Sequence, residues 1–441
     1  MEKTPLFQAL NRYIQQDYAR FHMPGHKGFA LPPLAAASQY DVTEVEGTDS
    51  LFEAEGPLAQ LEELFSQLYG TKRTLLSAGG STLCIQTMLS LVARPSGEII
   101  AGRNIHSAAV NAMALLDLHP CWLYPHQEGQ ALIGRIEPSQ VKQALQQHPK
   151  ACAVYITCPD YFGEMSDIAA ISTLCRQYRV PLLVDNAHGA HLKFMEPSLH
   201  PMDLGADICC DSLHKTLPVL TGGALLHFAS ESLAQKAKER MSVFGSTSPN
   251  YLIMLSCDTA AGWLAGPGPG LLRETARRCA QLKELAQSHG MATSGGLCDP
   301  MRLTLVLSGS GYTKEAFRSH LRRHGIMEEF LSENGCVLLC SPFNREEDYL
   351  RIKQMLEGLC LTPCPASPFP MFRPRAVLSL REALFAPCET LPIEKTAGRI
   401  AAQIKAPCPP GIPIVMLGEE INKNYIKTLK MYSISSLSVV K

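Results

Sequence analysis

Apolar residues recur along most of the chain, either at helical spacing or in short continuous runs. The segment PLAQLEELFSQLYG (57–70) has apolar residues three and four positions apart, which predicts a helix that stops at Gly70. The runs GEIIAG (97–102), ACAVYIT (151–157) and VPLLVD (180–185) are typical of buried strands, and AISTLCRQY predicts a helix before the last of them. This alternation predicts an α/β fold with a mostly parallel sheet covered by helices on both faces.

Pro and Gly suggest a division of the chain into three parts. Residues 1–55 begin with an amphipathic helix pattern and continue through FHMPGHKG and LPPLAAAS, which predicts an N-terminal arm. Residues 56–265 predict a large domain. In GWLAGPGPG (262–270) Pro and Gly interrupt a helix pattern, which predicts a hinge. Residues 266–441, with the strand-like runs MRLTLVLS and CVLLCSP, predict a smaller C-terminal α+β domain.

Composition and charge narrow the class of protein. The chain has 441 residues, of which 46% are hydrophobic and 18% charged, as in ordinary globular proteins. Because the formal net charge is −1 and no basic stripe is present, nucleic acid and anionic membrane surfaces are not expected partners. No apolar run reaches the length of a membrane span. Sixteen cysteines without a signal peptide or a CxxC pair predict reduced core residues and a cytoplasmic protein.

Two residues stand where cofactor chemistry is expected. Asp185 ends a buried strand in VPLLVDNAHGAH, and Lys215 follows another apolar strand in ADICCDSLHKTL. A pyridoxal-phosphate (PLP) enzyme needs a lysine to form an imine and a carboxylate to keep the pyridine nitrogen protonated. Lysine suits this role because its pKa falls when it is desolvated. Taken singly, a solvated lysine and a helix-capping aspartate remain open interpretations.

Two further segments suggest a phosphate site and a residue that stacks on a cofactor ring. In LLSAGGSTLCIQTML, small residues open an apolar helix, whose backbone N–H groups and the hydroxyls of Ser81 and Thr82 predict a phosphate site. An ordinary turn with an N-cap remains the alternative there. His106 lies at a strand-to-helix junction, where an imidazole can stack on a cofactor or simply cap the helix.

A metal site is not predicted. His22 and His26 are close together in HMPGH, but no carboxylate or cysteine lies at ligand spacing. His188 and His191 follow Asp185 closely, yet a metal bound there would leave Lys215 unexplained.

Nine segments in this order resemble the ornithine/lysine/arginine decarboxylase family over nearly the whole chain. They are FHMPGHKG, DVTEVEGTDSL, GGST, RNIHSA, CPDYFG, VDNAHGAH, SLHKTL, FGSTSPNYLIMLSCDTA and GRIAAQIKAPCPPGIPIVMLGEE. The resemblance implies a PLP enzyme of the aspartate-aminotransferase fold, with residues 56–265 as the PLP-binding domain. It also implies decarboxylation of a basic L-amino acid to CO₂ and a polyamine precursor. Arginine is the first choice of substrate, lysine the second and ornithine the third.

The resemblance also implies roles for individual residues. Lys215 is expected to form the imine, Asp185 to pair with the pyridine nitrogen, and His106 to stack on the ring, with His214 as a catalytic neighbour. The other implied cofactor neighbours are Gly80, Ser81, Thr82, His188, Ser212, Thr247 and Ser248. The stretch STSPNY (246–251) resembles a segment that reaches the cofactor phosphate of a partner subunit, which implies a homodimer with shared active sites.

The chain departs from the family at four positions, which leaves the substrate open. Ser50 stands where a second aspartate is usual, Asp160 where threonine is usual, Cys408 where tyrosine is usual, and Leu417 where proline is usual. Candidate carboxylates for a basic substrate side chain are Glu46, Asp49 and Glu419. A receiver-like N-terminal domain is not expected, and neither are the ring assemblies of the long family members.

Two other classes of function remain open. An aminotransferase, β-eliminase or aldolase would use the same cofactor on the same fold, although no arginine for a second substrate carboxylate can be placed. A non-catalytic regulator would keep the fold and bind polyamines or a partner protein. The pair of Lys215 and Asp185 argues against the regulator.

Overall fold

The computed structural model describes residues 3–16, 35–125, 134–365, 374–406, 411–432 and 434–441. Their α-helices are α1 (Pro5–Gln15), α2 (Ala35–Ser38), α3 (Pro57–Tyr69), α4 (Gly80–Val92), α5 (Ser107–Leu115), α6 (Pro138–Gln147), α7 (Ile168–Tyr178), α8 (Leu213–Thr216), α9 (Glu231–Ala234), α10 (Ala237–Phe244), α11 (Tyr251–Leu264), α12 (Gly268–Ser288), α13 (Lys314–Arg323), α14 (Glu346–Glu357), α15 (Leu380–Phe385) and α16 (Lys423–Met431). The strands are β1 (Arg73–Ser77), β2 (Glu98–Gly102), β3 (His119–Leu123), β4 (Val154–Thr157), β5 (Leu182–Asp185), β6 (Ile208–Asp211), β7 (Ala224–Phe228), β8 (Arg302–Val306), β9 (Phe330–Leu331), β10 (Gly335–Leu339), β11 (Cys388–Pro392) and β12 (Ser436–Val440). Short 3₁₀ helices span Ala190–Phe194 and Ile393–Lys395.

A seven-stranded sheet forms the main framework, in the order β1-β7-β6-β5-β4-β2-β3. Strand β2 runs parallel to β3 and β4, and β5 runs parallel to β6, whereas β7 is antiparallel to β6 and β1. Every residue of β5, β6 and β7 is buried, as expected for strands covered on both faces. The prediction of a mostly parallel sheet in an α/β fold is confirmed.

The predicted elements fall where the pattern placed them. The three strand-like runs contain β2, β4 and β5, and the helix before the last run is α7. Within the segment GWLAGPGPG (262–270), α11 ends at Leu264 and α12 begins at Gly268. The break between two helices is therefore present, and a hinge movement there stays a prediction.

One compact unit consists of the described parts of Met1–Val92 and Pro181–Leu272. Its first helix, α1, is amphipathic as predicted and buries Leu6, Ala9, Leu10 and Tyr13. The carboxylate of Asp258 on α11 accepts hydrogen bonds from the N–H groups of Leu6 (3.3 Å) and Phe7 (2.9 Å). A negative charge at a helix N-terminus satisfies donors that have no partner within the helix, so Asp258 fixes the start of α1.

The second compact unit consists of the described parts of Ala93–Val180 and Arg273–Lys441. It contains an antiparallel sheet in the order β8-β10-β9, whose core includes Leu303, Phe317 and Met355 from strands and helices. A second core lies around the antiparallel pair β11 and β12 and helix α16. This mixture agrees with the predicted α+β character of the C-terminal part. The boundaries 1–55, 56–265 and 266–441 stay a prediction.

Composition predicts neither a membrane span nor a disulfide framework. None of the helices in the described ranges has the length and hydrophobicity that crossing a membrane requires. The cysteines that the structure describes form no disulfide, and most of them are buried. Burial raises the pKa of a representative thiol, Cys84, to about 12, so it is a protonated core group at neutral pH.

Gly70 gives a first testable prediction. It follows α3 with φ +66°, a left-handed conformation that L side chains rarely adopt, and its N–H closes the last turn of the helix. We expect Gly70→Ala to lower the free energy of unfolding by about 1 kcal/mol, measured by urea titration. Gly270 in the first turn of α12 is the control, because a Cβ there meets nothing within 4 Å. Equal effects of alanine at the two positions would contradict this account.

Candidate active site

Asp185 is the last residue of β5, and it is only 1% exposed. Its partner in the parallel register is Cys210 on β6. Carboxylate oxygen Oδ1 accepts the backbone N–H of Ala187 at 3.1 Å and the thiol of Cys210 at 3.6 Å. The structure therefore places a buried carboxylate at the carboxyl end of a parallel strand, where ligands of α/β sheets bind.

Lys215 lies on the short helix α8, immediately after β6. Its Nζ is 2.9 Å from Nε2 of His188, which follows Asp185 by three residues. Both side chains are half-buried. An ammonium can only donate, so the imidazole accepts at Nε2, and a proton can pass between the two groups.

A glycine turn opens helix α4. Gly80 has φ +68°, and its N–H donates to the carbonyl of Gly222 at 2.7 Å. A Cβ at Gly80 would meet nothing within 4 Å, so open space lies beside this turn. Ser81 and Thr82 follow in the first helical turn, and Thr82 is exposed. This N-terminus has the features of a phosphate site.

A cavity of about 390 Å³ borders the same turn, within the first unit. Its wall includes Gly79 and Thr82 from the turn, and Ser246 and Ser248 from the segment after α10. Thr247 is exposed in that segment. Ser248 and the N-terminus of α4 therefore line one space in the same chain, which sequence alone did not predict.

His214 and Ser212 connect Lys215 to the glycine turn. Nδ1 of His214 lies 3.3 Å from Oγ of Ser212, and it accepts the N–H of Gly222 at 3.3 Å. Burial lowers the pKa of His214, and the neighbouring Lys215 adds to this effect. A neutral ring is thus held against the turn that also receives the N–H of Gly80.

His106 belongs to the second compact unit. It is the N-cap of α5, and its Nδ1 accepts the N–H of Ala108 at 3.1 Å. This is the capping role that the sequence left open. Stacking of the ring on a cofactor stays a prediction.

A buried network around Asp211, the last residue of β6, was missed by the sequence analysis. Its Oδ2 accepts hydrogen bonds from Nε2 of His200 (3.0 Å) and Nε2 of His227 (3.3 Å). Its Oδ1 accepts a hydrogen bond from Nδ2 of Asn186 (2.6 Å). All four residues are fully buried. Burial alone would raise the pKa of Asp211, but the two histidines overcome it and hold this pKa well below its ordinary value. The only signal in the sequence was a charged residue ending an apolar strand.

His200, Cys209 and Asp211 also present atoms close enough together to be considered as metal ligands. The N–H of Met202 donates to Nδ1 of His200 at 3.3 Å, so that nitrogen has no proton. The proton of a neutral ring is then on Nε2, which donates it to Asp211 and is not a ligand nitrogen. The hydrogen bonds therefore assign this cluster to a buried carboxylate network.

The three candidate substrate carboxylates lie in different surroundings. Glu419 is buried, 3.2 Å from the guanidinium of Arg103, and it accepts the hydroxyl of Tyr425. Asp49 accepts the N–H groups of Glu55, Gly56 and Leu58 at the start of α3, and that of its neighbour Ser50. Glu46 is exposed. Glu419 and Asp49 thus have structural partners, and substrate binding by any of the three carboxylates stays a prediction.

Three of the four positions that depart from the family pattern lie within the described residues. Asp160 is buried and accepts the N–H groups of Gly134, Phe162 and Glu164 at 2.8–3.0 Å, so it fixes a loop. Leu417 is buried, and Ser50 lies in the segment that Asp49 caps. Cys408, His22 and His26 lie outside the described residues.

Comparisons with known proteins agree with the geometry. Residues 4–295 match the model of the Orn/Lys/Arg decarboxylase major domain, and residues 368–436 match that of the Orn/Lys/Arg decarboxylase C-terminal domain. The arginine decarboxylase of Halalkalibacterium halodurans is 30% identical over 99% of this chain and 95% of its own length.

Two solved structures show the fold. The constitutive lysine decarboxylase of Escherichia coli matches with a TM-score of 0.80 at 18% identity, over 99% of this chain and 82% of that chain. Alanine–glyoxylate aminotransferase from Nostoc matches with a TM-score of 0.56 at 17% identity, over 80% of this chain and 90% of that chain. The chain therefore has the aminotransferase-like fold that the resemblance implied.

Asp211 gives a second testable prediction. Asparagine at this position places an NH₂ donor beside the donors of His200, His227 and Asn186. We therefore expect Asp211→Asn to lower the free energy of unfolding by about 3 kcal/mol at pH 7. Because the pKa of Asp211 is lowered in the folded protein, its contribution is present above about pH 4 and is lost as pH falls below that value. The acid limb of the stability curve should therefore be shallower in the variant.

Urea titrations between pH 2.5 and 7.5 measure both effects. Asp167→Asn is the matched control, because Asp167 is an exposed N-cap of α7, where asparagine serves equally well. A loss in Asp211→Asn no larger than that in the control would show that the network does not stabilise the fold.

Proposed function

Since the chain belongs to the Orn/Lys/Arg decarboxylase family and is an amino-acid decarboxylase, we propose that it uses PLP to remove the α-carboxyl group of L-arginine. The observation that carries this proposal is the arrangement of Lys215 and Asp185. Asp185 ends β5, and Lys215 follows the adjacent parallel strand β6. A glycine turn that suits a phosphate lies in the same compact unit.

The residues present fit the cofactor. Asp185 is buried, and a buried carboxylate is stabilised by a cationic partner such as a protonated pyridine nitrogen. The N-terminus of α4, with Ser81 and Thr82, would receive the phosphate. The Thr216 hydroxyl, next to Lys215, is buried without a hydrogen-bond partner among the described residues, as expected of a group that a ligand satisfies.

The reaction needs an electron acceptor and a proton relay. When bound, the cofactor supplies the acceptor for the electrons that remain after CO₂ leaves. Asp185 would support this by presenting a buried negative charge to the ring nitrogen. Nε2 of His188, 2.9 Å away, takes a proton from Nζ of Lys215 and so leaves a neutral, nucleophilic amine. The same pair returns a proton to the substrate Cα after decarboxylation.

Arginine is proposed ahead of lysine and ornithine. The support is the relative named arginine decarboxylase, which is 30% identical over nearly the whole chain. The constitutive lysine decarboxylase of Escherichia coli is less similar in sequence, at 18% identity. The product, a polyamine precursor, suggests a role in polyamine synthesis.

The assembly and compartment are also proposals. The support for a homodimer with shared active sites is the family resemblance of the stretch STSPNY (246–251), in which Thr247 and Ser248 are exposed. A cytoplasmic location is supported by the described cysteines, which form no disulfide.

Substitution of Lys215 tests the proposal. The purified protein with PLP is given arginine, lysine and ornithine separately, and release of CO₂ and amine is followed. We expect CO₂ from arginine, and we expect Lys215→Ala to lower kcat by at least about 10⁴-fold because the nucleophile and proton donor are lost. Lys72→Ala, which removes an exposed lysine before β1, should keep wild-type activity.

The other outcomes point elsewhere. Full activity of Lys215→Ala would refute the mechanism. Amine transfer to a keto acid without CO₂ would instead indicate an aminotransferase, and release of CO₂ from lysine alone would correct the substrate.

A further inference from the structure

Strand β6 presents a buried thiol to each of two buried carboxylates. Cys209 and Cys210 are consecutive, so their side chains point to opposite faces of the sheet. Sγ of Cys209 is 3.9 Å from Oδ1 of Asp211, whereas Sγ of Cys210 is 3.6 Å from Oδ1 of Asp185. Both cysteines are fully buried. The two faces of one strand therefore carry the same kind of contact, and only one of them involves the candidate site.

The Cys210 thiol is a hydrogen-bond donor to Asp185. Only a protonated thiol can donate, and burial raises the pKa of Cys210 well above its ordinary value, with the charge of Asp185 acting in the same direction. The backbone N–H of Ala187 donates to the same oxygen at 3.1 Å. Two donors on Oδ1 oppose rotation of the carboxylate about its Cβ–Cγ bond.

We infer that Cys210 is a positioning residue, which orients the Asp185 carboxylate toward the pyridine nitrogen of the cofactor. The inference rests on the proposed pairing of Asp185 with that nitrogen. Cys210 acts through Asp185 alone, and the reacting atoms are not assigned to it.

A thiol suits this position for a physical reason. A thiol can donate a hydrogen bond to a carboxylate oxygen, and as a small apolar group it also fills a core position in the strand. Valine or alanine would fill the strand equally well as a core residue, but neither can donate.

The test compares two cofactors that differ only at the ring nitrogen. Dissociation constants of PLP and of 1-deaza-PLP, in which C–H replaces that nitrogen, are measured for the cofactor-free full-length chain. The ratio of the two constants reports the pairing with Asp185, whereas a change in packing alters both constants alike. We expect Cys210→Ala to reduce the preference for PLP about fivefold, as for loss of one hydrogen bond.

Further variants separate orientation from packing. Cys210→Val keeps the side-chain volume without a donor and should lose the same preference, whereas Cys210→Ser keeps a donor and should restore it to within about twofold. Cys209→Ala removes the neighbouring thiol on the other face of β6, which faces Asp211, and should leave the ratio at its wild-type value.

An unchanged ratio in Cys210→Ala and Cys210→Val would overturn the inference, as would an equal loss of preference in Cys209→Ala. If the wild-type chain binds PLP no better than 1-deaza-PLP, the pairing of Asp185 with the ring nitrogen itself fails. That result is seen before any variant is made, so it is distinguishable from a failure of Cys210 alone.

Discussion

The burial of the Asp211 carboxylate is the constraint on which the site depends. A charge without solvent is costly unless donors surround it, and here the donors come from several parts of the chain. Asn186 follows β5, His227 lies on β7, and His200 lies in the connection between β5 and β6. His227 also bonds Thr74 on β1 at 2.9 Å. One carboxylate thus fixes the relation of four strands at the edge where the candidate active site begins.

The candidate site residues lie next to members of this network in the sequence. Asp185 precedes Asn186, and Ser212, His214 and Lys215 come within four residues of Asp211. The network therefore sets their backbone positions. The ring of His214 then bonds the Gly222 turn, which receives the N–H of Gly80. A rigid framework suits a site in which a lysine, a carboxylate and a glycine turn must hold fixed positions.

Sequence predicted the elements and the main chemical pair because both leave local signals. Buried parallel strands read as apolar runs, and Asp185 and Lys215 end or follow such runs within recognisable segments. The Asp211 network could not be predicted, because no local pattern links its members. His200 lies 11 positions before Asp211 and His227 lies 16 positions after it, and only folding brings them together. Glu419 and Asp49 show the converse. They are candidate substrate carboxylates, and no sequence pattern indicates that they contact the buried Arg103 and the start of α3.

Covalent mapping can show directly whether Lys215 carries the cofactor. The protein is incubated with PLP, reduced with borohydride and digested, and the modified peptide is identified by mass spectrometry. We expect one cofactor per chain, attached at Lys215. Modification spread over exposed lysines, or a single modification at another lysine, would contradict it.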